Sequence, residues 1–186
     1  MAELIAATPP ATWIPALGRT PEEVLQAEDA GGWEESLWQG WARAAARERD
    51  QIWCRALLAV ADWPGERQAS DLLALLPVLP VPARATAVVR LLRRGPHLPL
   101  SLLETVPAPW PEPLARAVLD RLARPGPPVQ EVPAVLALAG HRLPVGYAEP
   151  LLRAADRWPA GSPLLLRFVE AADLLTFRRD MGEELR

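Results

Sequence analysis

Arginines recur at helical spacing through the middle of the chain: Arg90, Arg93 and Arg94, then Arg116, Arg121 and Arg124, then Arg153 and Arg157. A guanidinium offers five N–H donors in a planar fork, so converging arginines take carboxylates or phosphates through paired hydrogen bonds. Carried on equivalent helices stacked side by side, these residues would form a stripe suited to an acidic peptide or a phosphate backbone. The charge pattern also supports a plainer role. Glu112, Arg116, Asp120 and Arg124 alternate in sign at i, i+4, and Glu149, Arg153 and Arg157 begin the same way, as on a solvent-facing helix. Only Arg90, Arg93 and Arg94 lack acids nearby on their own helix. A solvated face ranks first, contact with an acidic protein surface second and nucleic acid last. The residues singled out for interaction are Trp38, Arg90, Arg93, Arg94, Arg121 and Arg124.

Trp38 enters because five of the eight tryptophans fall in the first 53 residues, and tryptophan is enriched where binding energy concentrates. Trp33, Trp41 and Trp53 lie on apolar stripes and read as core, whereas Trp38 sits about 140° round the helix from Trp33 at ~100° per residue. His97 and His141 occupy proline-bordered turns with no neighbouring cysteine and no H-E-x-x-H spacing, so no metal site is expected. Cys54, the only cysteine, lies on a segment apolar almost all round and reads as a small core hydrophobe rather than an activated thiolate. Glu22/Glu23, Glu34/Glu35 and Glu183/Glu184 read as solvated charges at helix ends. There is no G-x-S-x-G elbow, no phosphate-binding G-x-x-x-x-G-K-[ST] loop and no lysine anywhere. No catalytic residue and no cofactor is assigned.

The elements that would position these residues are helices. Thr20-Pro21-Glu22-Glu23 opens a short one that closes at Gly31-Gly32. Trp33, Leu37, Trp41 and Ala44 form the apolar stripe of a second, with Glu35, Gln39, Arg43 and Arg47 opposite. Asp50 caps a third, in which Ile52, Trp53, Ala56, Leu57, Leu58, Val60 and Ala61 leave Arg55 as the main polar interruption, so it should be buried all round. A shift of thirty residues then aligns Leu72 with Leu102, Leu73 with Leu103, Pro77 with Pro107, Ala87 with Ala117, Val88 with Val118, Leu92 with Leu122 and Arg94 with Arg124. PLARAVLDRLARPG (Pro113 to Gly126) resembles PLLRAADRWPAG (Pro150 to Gly161) as a looser copy. Three helix pairs follow, near 66–76 with 82–94, 99–106 with 111–124, and 130–142 with 147–158; Ser162-Pro163 opens a final helix. No window alternates as a strand would. Two helices per repeat of this length predict an all-α fold: antiparallel helix pairs stacked as a short HEAT-like α-solenoid. The expected organisation is a single domain, 1–186. An irregular segment covers 1–19, Trp-rich helices 20–62, the three pairs 66–158 and a capping helix 162–186.

RERDQIWCRALL (Arg47 to Leu58), APWPEPLARAVLDRL (Ala108 to Leu122) and FRRDMGEEL (Phe177 to Leu185) carry a family resemblance. The chain resembles the C-terminal part of an uncharacterised bacterial helical family whose members are often encoded beside MoxR-type AAA+ ATPases and SWIM zinc-finger proteins. The resemblance covers the chain from about Trp13 onward. It implies a helical protein in an AAA+ ATPase-linked system, and a shorter relative or a fragment, since family members are longer. It assigns no catalytic residues.

Composition sets outer bounds on function. The chain has 186 residues, half of them hydrophobic, enough for one substantial core. The 22 prolines punctuate elements rather than mark disorder. MAELIAATPP carries an acid where a secretory signal begins basic, and the apolar run Leu72 to Ala83 is broken by prolines, so cytoplasmic residence without a membrane span is expected. Charge is uneven: residues 1–80 hold six arginines against twelve acids, 81–168 eleven against six, and 169–186 three against five. A basic middle between acidic ends suits an anionic partner or contact between the protein's own parts. The leading expectation is a non-catalytic protein–protein interaction module, an adaptor in an AAA+ ATPase-linked system. The alternatives are a HEAT-like protein binding nucleic-acid backbone and an enzyme with an unrecognised site.

Overall fold

The computed structural model describes residues 35–60, 66–94, 99–124 and 129–184; for 35–38, 60, 66–68, 94, 183 and 184 it describes the backbone alone. The expected helix at Thr20–Gly31 and the segment 1–19 lie outside the described residues. Every regular element among the described residues is helical. They are α1 (Glu35–Glu48), α2 (Gln51–Val60), α3 (Glu66–Leu75), α4 (Val81–Arg94), α5 (Leu100–Glu104), α6 (Glu112–Leu122), α7 (Val132–Arg142), α8 (Ala148–Ala155) and α9 (Leu164–Glu184), with 3₁₀ turns at Leu76–Val78 and Val145–Tyr147. The chain divides into two compact units, residues 1–87 and 88–186.

In the first unit α1 packs on α2 and α3, and α2 on α3 and the turn at Leu76–Val78. α1 stops where Arg49 turns left-handed at φ 56° and the Asp50 N–H bonds back to the Ala45 carbonyl at 3.0 Å. Asp50 then caps α2 as its sequence promised, its Oδ1 accepting from the N–H groups of Ile52 (3.0 Å) and Trp53 (3.1 Å). Trp41 and Trp53 meet edge to face at 5.9 Å and, with Leu57, Leu72 and Leu75, fill the interior. α2 is not buried all round: Ile52 is 65% exposed. It shares the outward side with Arg55, three residues on, and a helix end beside a polar residue can leave one isoleucine in water at small cost.

Cys54 is sealed in this core, where burial, and then the charge of Asp50, push its thiol up from 9.0 to about 12. A folded value above the ordinary one means that the neutral thiol's contribution to stability is intact below pH 9 and is lost as pH rises toward 12. Iodoacetamide at about pH 8 should therefore spare Cys54 in the native chain and alkylate it once urea unfolds the protein. Equal labelling rates with and without urea would place the residue outside the core.

In the second unit each helix neighbours the next but one: α5 lies against α7, α7 against α9, and α6 against α8, with α8 also on α9. Leu102, Leu103, Trp110, Leu114, Val118, Val135, Leu136, Leu151, Phe168 and Leu175 form the core. Prolines in the first turns of α6 and α7 use the position where a missing N–H costs nothing. Gly161, at φ +86°, turns the chain into α9, and Ser162 caps it by accepting the Leu164 N–H at 3.3 Å. α7 and α9 approach closely because Gly140 lacks a side chain: a Cβ there would meet Leu174 at 3.1 Å and the Ala171 backbone at 3.4 Å.

One polar device is used twice. The Arg142 guanidinium, at the end of α7, donates to the Val106 carbonyl just past α5 at 2.7 Å. Arg178 of α9 donates to the Gly140 and Leu143 carbonyls at the end of α7 at 2.8 and 3.1 Å. In each case an arginine two helices further on satisfies carbonyls that the earlier helix end leaves unpaired. Between α8 and α6 an indole does the same, Trp158 Nε1 donating to the Leu122 carbonyl at 2.8 Å. The sequence separation is 36 residues for Arg142–Val106 and for Trp158–Leu122.

Candidate functional site

The last turn of α4 carries Leu92 and Arg93, and α6 presents Ala117, Asp120, Arg121 and, just past its end, Arg124 at i, i+3, i+4 and i+7 on one face. These six residues line one cleft of about 60 Å³ in the second unit. Leu92 is buried and Ala117 half-buried, while Arg93, Asp120 and Arg124 are exposed. Arg121 and Arg124 stand at the C-terminal end of α6, where the helix dipole favours cations. Arg121 is half-buried, and its guanidinium is held below the ordinary arginine range by burial first and by the charge of Arg124 second, against which Glu131 acts. Cations crowded at a partly dry site gain from an added anion.

Three of the residues singled out from the sequence, Arg93, Arg121 and Arg124, therefore converge. Arg90 is exposed on α4 and does not line the cleft. Arg94 ends α4 and Trp38 lies in α1, but the side chains of both fall outside the described residues. Other arginines follow the solvated pattern: Arg116 pairs with Glu112 at 2.7 Å and Arg153 with Glu149, both at i, i+4 and exposed. The Glu112 carboxyl is held below its ordinary range by the Tyr147 hydroxyl and then by Arg116.

Of the two histidines, His97 lies outside the described residues, and His141 is exposed in a wider groove between α7 and α9. No group of three metal-ligating side chains occurs among the described residues, and no described helix is long and apolar enough to cross a membrane. Sequence spacing did not foresee the Arg43–Asp71 pair or the arginines spent on helix ends, because their partners lie 28 or more residues away.

The sequence profile of a family of unknown function (DUF5691) matches residues 1–185. No curated protein and no solved structure matches the chain.

Proposed function

We propose, for a chain that belongs to the DUF5691 family of unknown function, that it is a protein–protein interaction module whose arginine-lined cleft holds an acidic side chain of its partner. The observation that carries this reading is the convergence of Arg93, Arg121 and Arg124 on one small cleft. The packing of each helix on the next but one and the twice-used guanidinium cap support a second unit built as a short HEAT-like α-solenoid, an architecture that binds by shape. We further propose that the module is an adaptor in an AAA+ ATPase-linked bacterial system, working in the cytoplasm; the family resemblance of the three quoted segments supports this reading.

The test uses a fluorescent glutamate-rich peptide and the full chain in an anisotropy titration. Each charge-assisted hydrogen bond is worth about 1.5–3 kcal/mol, so the triple variant R93A/R121A/R124A should bind at least roughly tenfold more weakly. Its unfolding temperature should stay close to that of the parent, since Arg93 and Arg124 are exposed. Unchanged affinity in the triple variant would remove the cleft from the function. Tight, steeply salt-dependent binding of single-stranded DNA in place of the peptide would favour the nucleic-acid reading.

A further inference from the structure

α9 is apolar on two opposed faces. Leu164, Phe168, Ala171, Ala172 and Leu175 are at most 4% exposed and lie on the side that packs against α7 and α8. Half a turn away, at i, i+3, i+11 and i+15, Leu166, Val169, Phe177 and Met181 are 63%, 44%, 61% and 41% exposed. Scattered single apolar residues need no explanation, but four along one stripe of one helix mark a surface that is covered in use.

We infer that this outer face of α9 docks a basic amphipathic helix of another protein. The charges choose the occupant. Asp173 stands in the middle of the stripe, one turn from Val169 and one from Phe177, exposed and with no ion pair among the described residues. The helix's own arginines are engaged elsewhere: Arg167 with Glu170 at 2.8 Å, Arg179 with Asp180 at 3.0 Å, and Arg178 on the carbonyls that end α7. A docking helix must therefore bring a base to the centre of its own apolar stripe. A second copy of this chain fits poorly. Two-fold pairing of α9 about the middle of the stripe sets Asp173 against its own image, like charge on like charge. An anionic lipid surface meets the same repulsion.

Beside the stripe, Ala134, Ala137 and His141 of α7 and Leu174 of α9, with the Arg167–Glu170 ion pair, line the groove of about 460 Å³ between the two helices. It offers the ridge of a docked helix a seat, as in helix-in-groove recognition. This surface is separate from the arginine cleft in residues and in sign, so either can fail alone.

The experiment uses the full chain and two synthetic helices of about 18 residues, some five turns. Both carry leucines at i, i+3, i+4 and i+7; one has arginine at the centre of the stripe, the other glutamate. In anisotropy titrations the arginine peptide should bind the parent at least roughly tenfold more tightly than the glutamate peptide. D173R should reverse that preference, and F177D should abolish binding of both without altering the circular dichroism spectrum. Equal affinity for the two peptides, failure of both to bind, or a preference that survives D173R would overturn the inference. So would a dimer in sedimentation that F177D dissolves, which would make the stripe a contact between copies. Binding to phosphatidylserine vesicles that D173R strengthens would overturn it in favour of a membrane surface.

Discussion

Replacing Trp110 by alanine is expected to lower the unfolding free energy by about 3–5 kcal/mol, the cost of emptying an indole-sized site in a packed core. Trp110 is 1% exposed. Its Nε1 donates to the Val106 carbonyl at 3.3 Å, and its backbone N–H donates to the Arg142 carbonyl at 2.7 Å. The residue thus ties the turn after α5, the entry to α6 and the end of α7 into one knot. Val106 receives both this indole and the Arg142 guanidinium. Loss of the ring therefore also loosens the cap that Arg142 provides. W110F retains most of the apolar volume and should lose less, about 1–2 kcal/mol, chiefly the hydrogen bond and the second ring. Urea denaturation of the two variants measures both losses. A loss below about 1 kcal/mol for W110A would mean that the site closes over the gap and the ring is not a packing centre.

The second large effect concerns Asp71, which is 5% exposed on α3 and pairs through Oδ1 with Arg43 Nε of α1 at 3.1 Å; its Oδ2 accepts no hydrogen bond. A buried carboxylate with one partner is poorly compensated. R43A removes that partner and should cost about 2–3 kcal/mol, because the charge left behind is already out of water. Arg43 is 69% exposed, so the converse change frees a cation that water accepts at once. The double variant R43A/D71L should therefore recover most of the loss, as an apolar side chain suits a buried position one turn before the buried Leu75 on the same helix. A double variant less stable than R43A alone would show that Asp71 holds the α1–α3 contact by something other than this pair.

Much of the helical frame was legible because its signals are local. The Asp50 cap, the Ser162-Pro163 start and the prolines opening α6 and α7 act within one turn of themselves. Leu72 and Leu102, Val88 and Val118, and Leu92 and Leu122, which the thirty-residue shift aligns, are all buried. What spacing could not give is the use of arginine. Nothing in the sequence marks Arg142 or Arg178, since the carbonyls they serve lie 35 to 38 residues back and a carbonyl has no sequence signature. The candidate cleft was half visible. Its α6 members share one face by periodicity, but the partner Arg93 comes from a different helix, and only packing decides that Arg93 faces them while Arg90 does not. Ile52 misled for a related reason, because an apolar circumference says that a helix wants burial and not that neighbours exist on every side.

The claim that the cleft is an acceptor for acidic groups is tested most directly by NMR of the arginine Nε–Hε signals during titration with the glutamate-rich peptide. Arg93, Arg121 and Arg124 should shift together and saturate together, with Arg116 and Arg153 unmoved in their own ion pairs. Small shifts spread evenly over all the arginines, without saturation, would contradict the cleft as a site and leave a surface that attracts acids only by its average charge.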